Sequence, residues 1–120
     1  MVYLFYGVDV NNKFLFVCSV NMLRSPTAEH VARTMGYSAD SAGTVLDLAV
    51  RPLTLDAINR AEYIICMEMR HNLKVLDMAP HRGADTFVWN IPDDYNYCDP
   101  VLITILQNYI GIFAKNNLRG

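Results

Sequence analysis

Cys18 and Arg24 enclose five residues, Ser19-Val20-Asn21-Met22-Leu23, and Ser25 follows the arginine at once. Together these residue types suit attack on phosphorus. A cysteine thiolate is a strong nucleophile, and arginine offers a forked, permanently charged donor set that matches two phosphate oxygens. A spacer of this length forms a loop whose backbone N–H groups face one point, an arrangement that holds anions. The competing reading is a free cysteine at the end of a core strand with Arg24 in solvent. That reading leaves the flanking sequence unexplained.

The flanks read as the elements needed to hold such a loop. Phe14-Leu15-Phe16-Val17 runs into Cys18 as a buried strand. Ser25 is expected to cap a helix whose first position is Pro26. Ala28, Val31, Ala32 and Met35 then fall on one helical face, and Gly36 ends it. Further on, strands are expected over 14–18, 38–41, 63–67 and 85–89, and helices over 26–35, 52–61, 68–78 and 100–115. Asp99 and Pro100 form a cap and first-position pair for the last helix. Such alternation gives an α/β fold, parallel strands with helices on both faces. Sites in such sheets lie off the C-terminal strand ends, where Cys18 and the segment after Trp89 are expected to meet.

The stretch from Val17 to Glu29, V-C-S-V-N-M-L-R-S-P-T-A-E, resembles the signature of the low-molecular-weight protein tyrosine phosphatases, most of all their short bacterial branch. Ser41-Ala42-Gly43-Thr44, a strand ending Cys66-Met67-Glu68, and Ile91-Pro92-Asp93-Asp94-Tyr95 add to the likeness, as does the order, cysteine early and acid loop late. The resemblance runs from Phe14 to the end. It implies a three-layer sandwich with strand order 2-1-3-4 and a phosphatase acting on phosphotyrosine or other aryl phosphates through a cysteinyl phosphate, without a cofactor. In that scheme Cys18 is the nucleophile. Arg24 and the loop residues Ser19, Val20, Asn21, Met22 and Leu23 hold the phosphoryl group. Ser25 hydrogen-bonds the sulfur, and Asn21 braces the loop against Ser25 and Ser41. Asp93 matches the general acid, with Asp94 where the family has proline; from the residues alone, both aspartates stay open. Tyr95 and Tyr97 are candidates for the wall of a slot taking a phenyl ring. Val20 replaces a usual glycine, Leu23 replaces a second cysteine of many relatives, and Thr44-Val45-Leu46-Asp47 lacks an aromatic residue common there.

Composition narrows the partners. A chain of 120 residues, 52% hydrophobic, is read as one domain over 14–120 behind an N-terminal extension over 1–13. A net charge of −2 without a basic run argues against nucleic acid. No stretch reads as a membrane span or signal peptide, so no membrane partner and a cytoplasmic location are expected. Three cysteines at no framework spacing fit a reducing compartment. His30, His71 and His81 lack metal-ligand spacing, so no metal is expected, and all three read as surface or partly buried. Val2-Tyr3-Leu4-Phe5-Tyr6 reads as an added edge strand, a partner-binding arm or a packed extension. The last helix carries two apolar rows, suited to deep burial or to a homodimer. The expected partner is a phosphotyrosine protein or a small aryl phosphate. Thioredoxin-coupled arsenate reduction uses a similar loop but needs two further cysteines close together, whereas Cys66 and Cys98 lie far apart in sequence. A non-catalytic phosphate-reading module would need neither the nucleophile nor the acid.

Overall fold

Alternate residues of the first strand belong to two different cores, and this sets the architecture. In the computed structural model, which describes residues 12–118, β1 (Asn12–Cys18) turns Phe14, Phe16 and Cys18 to one face and Leu15 and Val17 to the other. A strand apolar on both sides belongs at the centre of a covered parallel sheet. It pairs in parallel with β2 (Ala39–Gly43) on one side and β3 (Ala61–Cys66) on the other. The short β4 (Thr86–Val88) completes the order β2-β1-β3-β4. Cys18 aligns with Gly43, Val17 with Cys66, and Cys66 with Val88, so the C-terminal strand ends gather along one edge.

Helices α1 (Arg24–Thr34) and α4 (Pro100–Asn117) cover the Phe14 face, while α2 (Leu55–Arg60) and α3 (Met69–Met78) cover the Leu15 face. A 3-10 turn (Pro80–Asp85) leads from α3 into β4. Phe113 of α4 meets Phe87 and Tyr63 edge-on, with ring centroids 5.0 and 5.1 Å apart. Asp99 Oδ1 accepts from the Val101 amide at 2.8 Å and Pro100 takes the first turn, as the sequence suggests.

Several local expectations change. The first strand starts two residues earlier than expected, at Asn12. Helix α1 begins at Arg24, after Leu23, and has no side-chain cap; the Ser25 hydroxyl is engaged elsewhere, in the loop that precedes the helix. Pro52 does not start a helix but bridges to Gly43. Helix α2 starts after Thr54, whose hydroxyl accepts from the Ala57 amide. Only one apolar row of α4, Leu102, Leu106, Ile110 and Phe113, is buried, while Val101, Tyr109 and Ile112 face outward. The Val2–Tyr6 stretch lies outside the described residues. Among those described, no helix is long and apolar enough to cross a membrane.

Gly43 closes β2 where there is no room for a side chain. A Cβ there would lie 2.7 Å from the Ser19 carbonyl oxygen and 2.7 Å from the Ala49 Cβ. Gly43→Ala must therefore push the 44–50 loop away from the loop after Cys18. The expected loss is about 1–3 kcal/mol, read as a lower midpoint in thermal denaturation, and an unchanged midpoint would contradict this packing.

Candidate functional site

The peptide planes after Cys18 are fixed from outside. The carbonyls of Cys18, Ser19 and Val20 accept from the amides of Thr44, Val45 and Val50 at 2.9, 2.9 and 3.0 Å. A trans peptide points its N–H opposite its C=O, so the amides of Ser19, Val20 and Asn21 face away from the 44–50 loop. The Leu23 carbonyl accepts from the Thr27 amide, which turns the Arg24 amide outward at the helix start. Among the described residues, none of the amides from Ser19 to Arg24 donates to a backbone carbonyl outside regular helix and strand pairing. Of these residues, Ser19, Val20, Leu23 and Arg24 line a cavity of about 60 Å³ together with Cys18 and Asp93. Unspent amides at a helix N-terminus form an anion site. The reversal is made at Asn21, whose φ of 59° is left-handed, a conformation asparagine tolerates. Val20 is not among the residues with positive φ, so a β-branched side chain fits without strain where a glycine is usual.

The nucleophile candidate sits at the floor of the cavity. Cys18 is 3% exposed, and its Sγ lies 2.9 Å from Ser25 Oγ. Asn21 Nδ2 donates to Ser25 Oγ and to Ser41 Oγ, both at 2.9 Å. With that lone pair occupied, the Ser25 proton is available to the sulfur. Ser41 in turn donates to Glu29 Oε1, and Arg51 holds Glu29, Ser41 and the Asn21 side-chain oxygen together. Asn21 is thus braced on both sides.

Arg24 is buried, 2% exposed, beside the cavity. Its Nη1 donates to Glu68 Oε2 and to the Ile91 carbonyl, the latter at 2.9 Å, and its Nε lies 3.4 Å from Asp93 Oδ1. The Arg24 hydrogen bond holds the Glu68 carboxyl below the usual range despite partial burial, and Arg70 adds to the effect. Glu68 also begins α3. Its side chain accepts from the His71 amide, and its own amide donates to His71 Nδ1 at 3.0 Å, a reciprocal cap. His71 Nε2 lies 3.0 Å from Ser19 Oγ. Burial, then the charge of Arg24, pushes the imidazole pKa down to about 4 against the opposing pull of Glu68 and Asp93.

Of the residues expected at the site, the fold brings together Cys18, Ser19, Val20, Asn21, Leu23, Arg24, Ser25 and Asp93. Met22 is exposed on the outside of the loop, Asp94 is exposed, and Tyr95 packs partly on the core. Tyr97 borders a separate shallow groove with Asn21, Met22, Pro26, Val50 and Arg51. His71 is fully buried, contrary to the expectation of a surface or partly buried histidine, because both ring nitrogens find partners. Glu68 and His71 are not marked as site residues by the sequence. Their spacing at a helix start, a polar residue and its partner three positions on, is the signal that could have found them. Cys66 is fully buried and its thiol is pushed up to about 12 by that burial, so it is a core residue.

No protein-family profile matches the sequence, and no curated protein matches it. Solved structures do. The low-molecular-weight protein tyrosine phosphatase of Streptococcus pyogenes is 18% identical with a TM-score of 0.71, over 90% of this chain and 94% of that one. The tyrosine phosphatase Wzb of Escherichia coli K30, solved with phosphate, is 19% identical at 0.70, over 89% and 99%. The YwlE arginine phosphatase of Geobacillus stearothermophilus is 18% identical at 0.62, over 91% and 99%. The chain has the fold of these proteins.

His71 supplies a pH test of the buried cluster. Its pKa is about 4 in the folded chain, against 6.5 for an imidazole in water. The unfolded chain therefore binds the extra proton between these values, and stability falls as pH drops from about 6.5 to about 4. His71→Asn, which keeps an acceptor for the Glu68 amide, is expected to flatten that part of the profile in urea denaturation. A slope identical to that of the native chain would remove the imidazole as its source.

Proposed function

We propose that this chain is a phosphatase of the low-molecular-weight type, hydrolysing phosphotyrosine and other aryl phosphate monoesters. The observation that carries the reading is the convergence of unspent amides and the Arg24 guanidinium around the Cys18 sulfur. A phosphate dianion repels a nucleophile unless its charge is screened, and this donor set screens it on the equatorial oxygens as the transition state develops. The Cys18 thiolate attacks phosphorus in line, an S–P bond forms and the P–O bond to the aryl group breaks. Asp93 gives its proton to the departing phenolate. A water molecule then attacks phosphorus, Asp93 takes a proton from it, and the S–P bond breaks. The Ser25 hydroxyl receives the returning thiolate with a hydrogen bond.

Asp93 is preferred to Asp94 as the acid because it borders the cavity and lies within reach of Arg24. Arsenate reduction is disfavoured by the burial of Cys66, which leaves no exposed pair of further cysteines among the described residues. A purely binding module would not require a nucleophile at the floor of the cavity. Pairing of two copies through the outward row of α4, Val101, Tyr109 and Ile112, is part of this proposal, and light scattering at micromolar concentration is expected to give a dimer mass. A monomer mass would reject that part alone.

The test is phosphate release from an aryl phosphate, with phosphoarginine run alongside because a structure of the same fold is an arginine phosphatase. Activity is expected with the aryl ester and is expected to vanish in Cys18→Ser. Asp93→Asn is expected to lower kcat by about a hundredfold or more. Because the acid must be protonated when the phenolate leaves, turnover is expected to be greatest at mildly acidic pH. An inactive native chain, or a rate that climbs steadily above neutral pH, would overturn the reading.

A further inference from the structure

The two partners of His71 fix where its proton resides. Nδ1 accepts the Glu68 amide hydrogen, so Nδ1 carries no hydrogen and the neutral ring must bear its proton on Nε2. Nε2 faces Ser19 Oγ at 3.0 Å and is therefore the donor in that bond. Ser19 Oγ accepts, and its own hydrogen cannot point back at a nitrogen that already carries one. Ser19 borders the cavity that holds Cys18 and Arg24. We infer that the Ser19 side-chain hydroxyl, oriented by His71, donates a hydrogen bond to the phosphoryl group bound in this cavity. Ser19 then contacts the ligand through its side chain as well as its amide, and His71 is a positioning residue.

A second observation separates this role from simple helix capping. The residue at the third position of a capping box is commonly Glu or Gln, which satisfies the preceding amide alone. Here that position holds a histidine that is fully buried, where desolvation keeps its ring neutral. A cap needs one acceptor. The imidazole adds a donor on its far side, which a glutamate carboxylate cannot, and that donor meets Ser19. Glu68 joins the two halves, since its carboxylate holds Arg24 and its amide holds His71. The first turn of α3 thereby aims both an arginine and a hydroxyl at one anion.

The inference rests on the phosphatase reading for the identity of the ligand, so its test measures binding and turnover separately. The binding probe is inorganic phosphate, followed by calorimetry or NMR titration, and the turnover probe is an aryl phosphate. Ser19→Ala is expected to weaken phosphate binding, and to lower kcat/KM, by about tenfold to a hundredfold, the range of one hydrogen bond to a charged group. His71→Asn keeps the acceptor for Glu68 but does not reach Ser19, and is expected to show the same loss. His71→Gln, whose side-chain nitrogen reaches the position of Nε2, is expected to recover most of it. The pair Ser19→Ala with His71→Asn is expected to be no worse than Ser19→Ala alone. Native phosphate affinity in Ser19→Ala would overturn the inference. A His71→Gln chain no better than His71→Asn, or an equal His71→Asn loss with and without the Ser19 hydroxyl, would overturn the role of His71. If the His71 variants do not fold, Ser19→Thr decides, since retention of the hydroxyl should retain phosphate affinity and an Ala-like loss would overturn the donor. Phosphate affinity lost in Ser19→Ala, with a native chain that turns over no aryl phosphate, would support the donor and overturn the phosphatase.

Discussion

Three hydrogen bonds from the 44–50 loop to the carbonyls of Cys18, Ser19 and Val20 decide which way the amides of the following peptides point. The geometry of the peptide unit does the rest. Once the carbonyls are turned outward, the N–H groups turn inward, and Asn21 completes the reversal with a left-handed backbone. The arrangement does not depend on a glycine-rich sequence in the Cys18 loop. It depends on the neighbouring loop, and on Gly43, which lets that loop approach within van der Waals contact. The sequence of the candidate site and the sequence that shapes it are therefore two different stretches.

Charges on either side of the loop hold it in place. Arg24 is almost fully buried, yet Glu68 and the Ile91 carbonyl satisfy it and fix the plane of its guanidinium. Glu29, 6% exposed, is held by Ser41, Arg51 and Arg33 on the other side. Pairs of this kind, one partner buried and the other part-exposed, add little net stability compared with apolar packing. Their contribution is orientation. Between them, Asn21 and Ser25 carry the geometry to the sulfur through neutral hydrogen bonds.

Much of this is legible in the sequence. The doubly apolar run before Cys18 and the alternation of strand and helix patterns point to the parallel sheet, because a two-sided core strand has few other homes. Cys18, Arg24 and the Asp93 segment are legible from the five-residue spacing between cysteine and arginine at a strand end and from the carboxylates that follow Trp89. Ser25 reads both as a cap and as a partner of the sulfur, because the same hydroxyl serves either equally well on local grounds. Only the presence of Asn21 and Cys18 in space distinguishes the two. Glu68 and His71 stay hidden for a related reason. Their meaning lies in contacts with residues more than forty positions away, and a histidine inside a helix carries no mark of which neighbours will bury it.

Those separations also set an order of assembly. Arg24 depends on Glu68, 44 residues downstream, and on Ile91, 67 residues downstream. Contacts this distant require loop closure before they return any stability. During synthesis the Cys18 strand and the start of α1 emerge long before the partners that orient the arginine exist. The chain thus spends its early life with a sulfur that has no complete cavity around it. The arrangement becomes whole only when nearly the entire sheet has been laid down, so a chain truncated or stalled short of Ile91 carries the Cys18 thiol without the carbonyl that helps hold the Arg24 guanidinium.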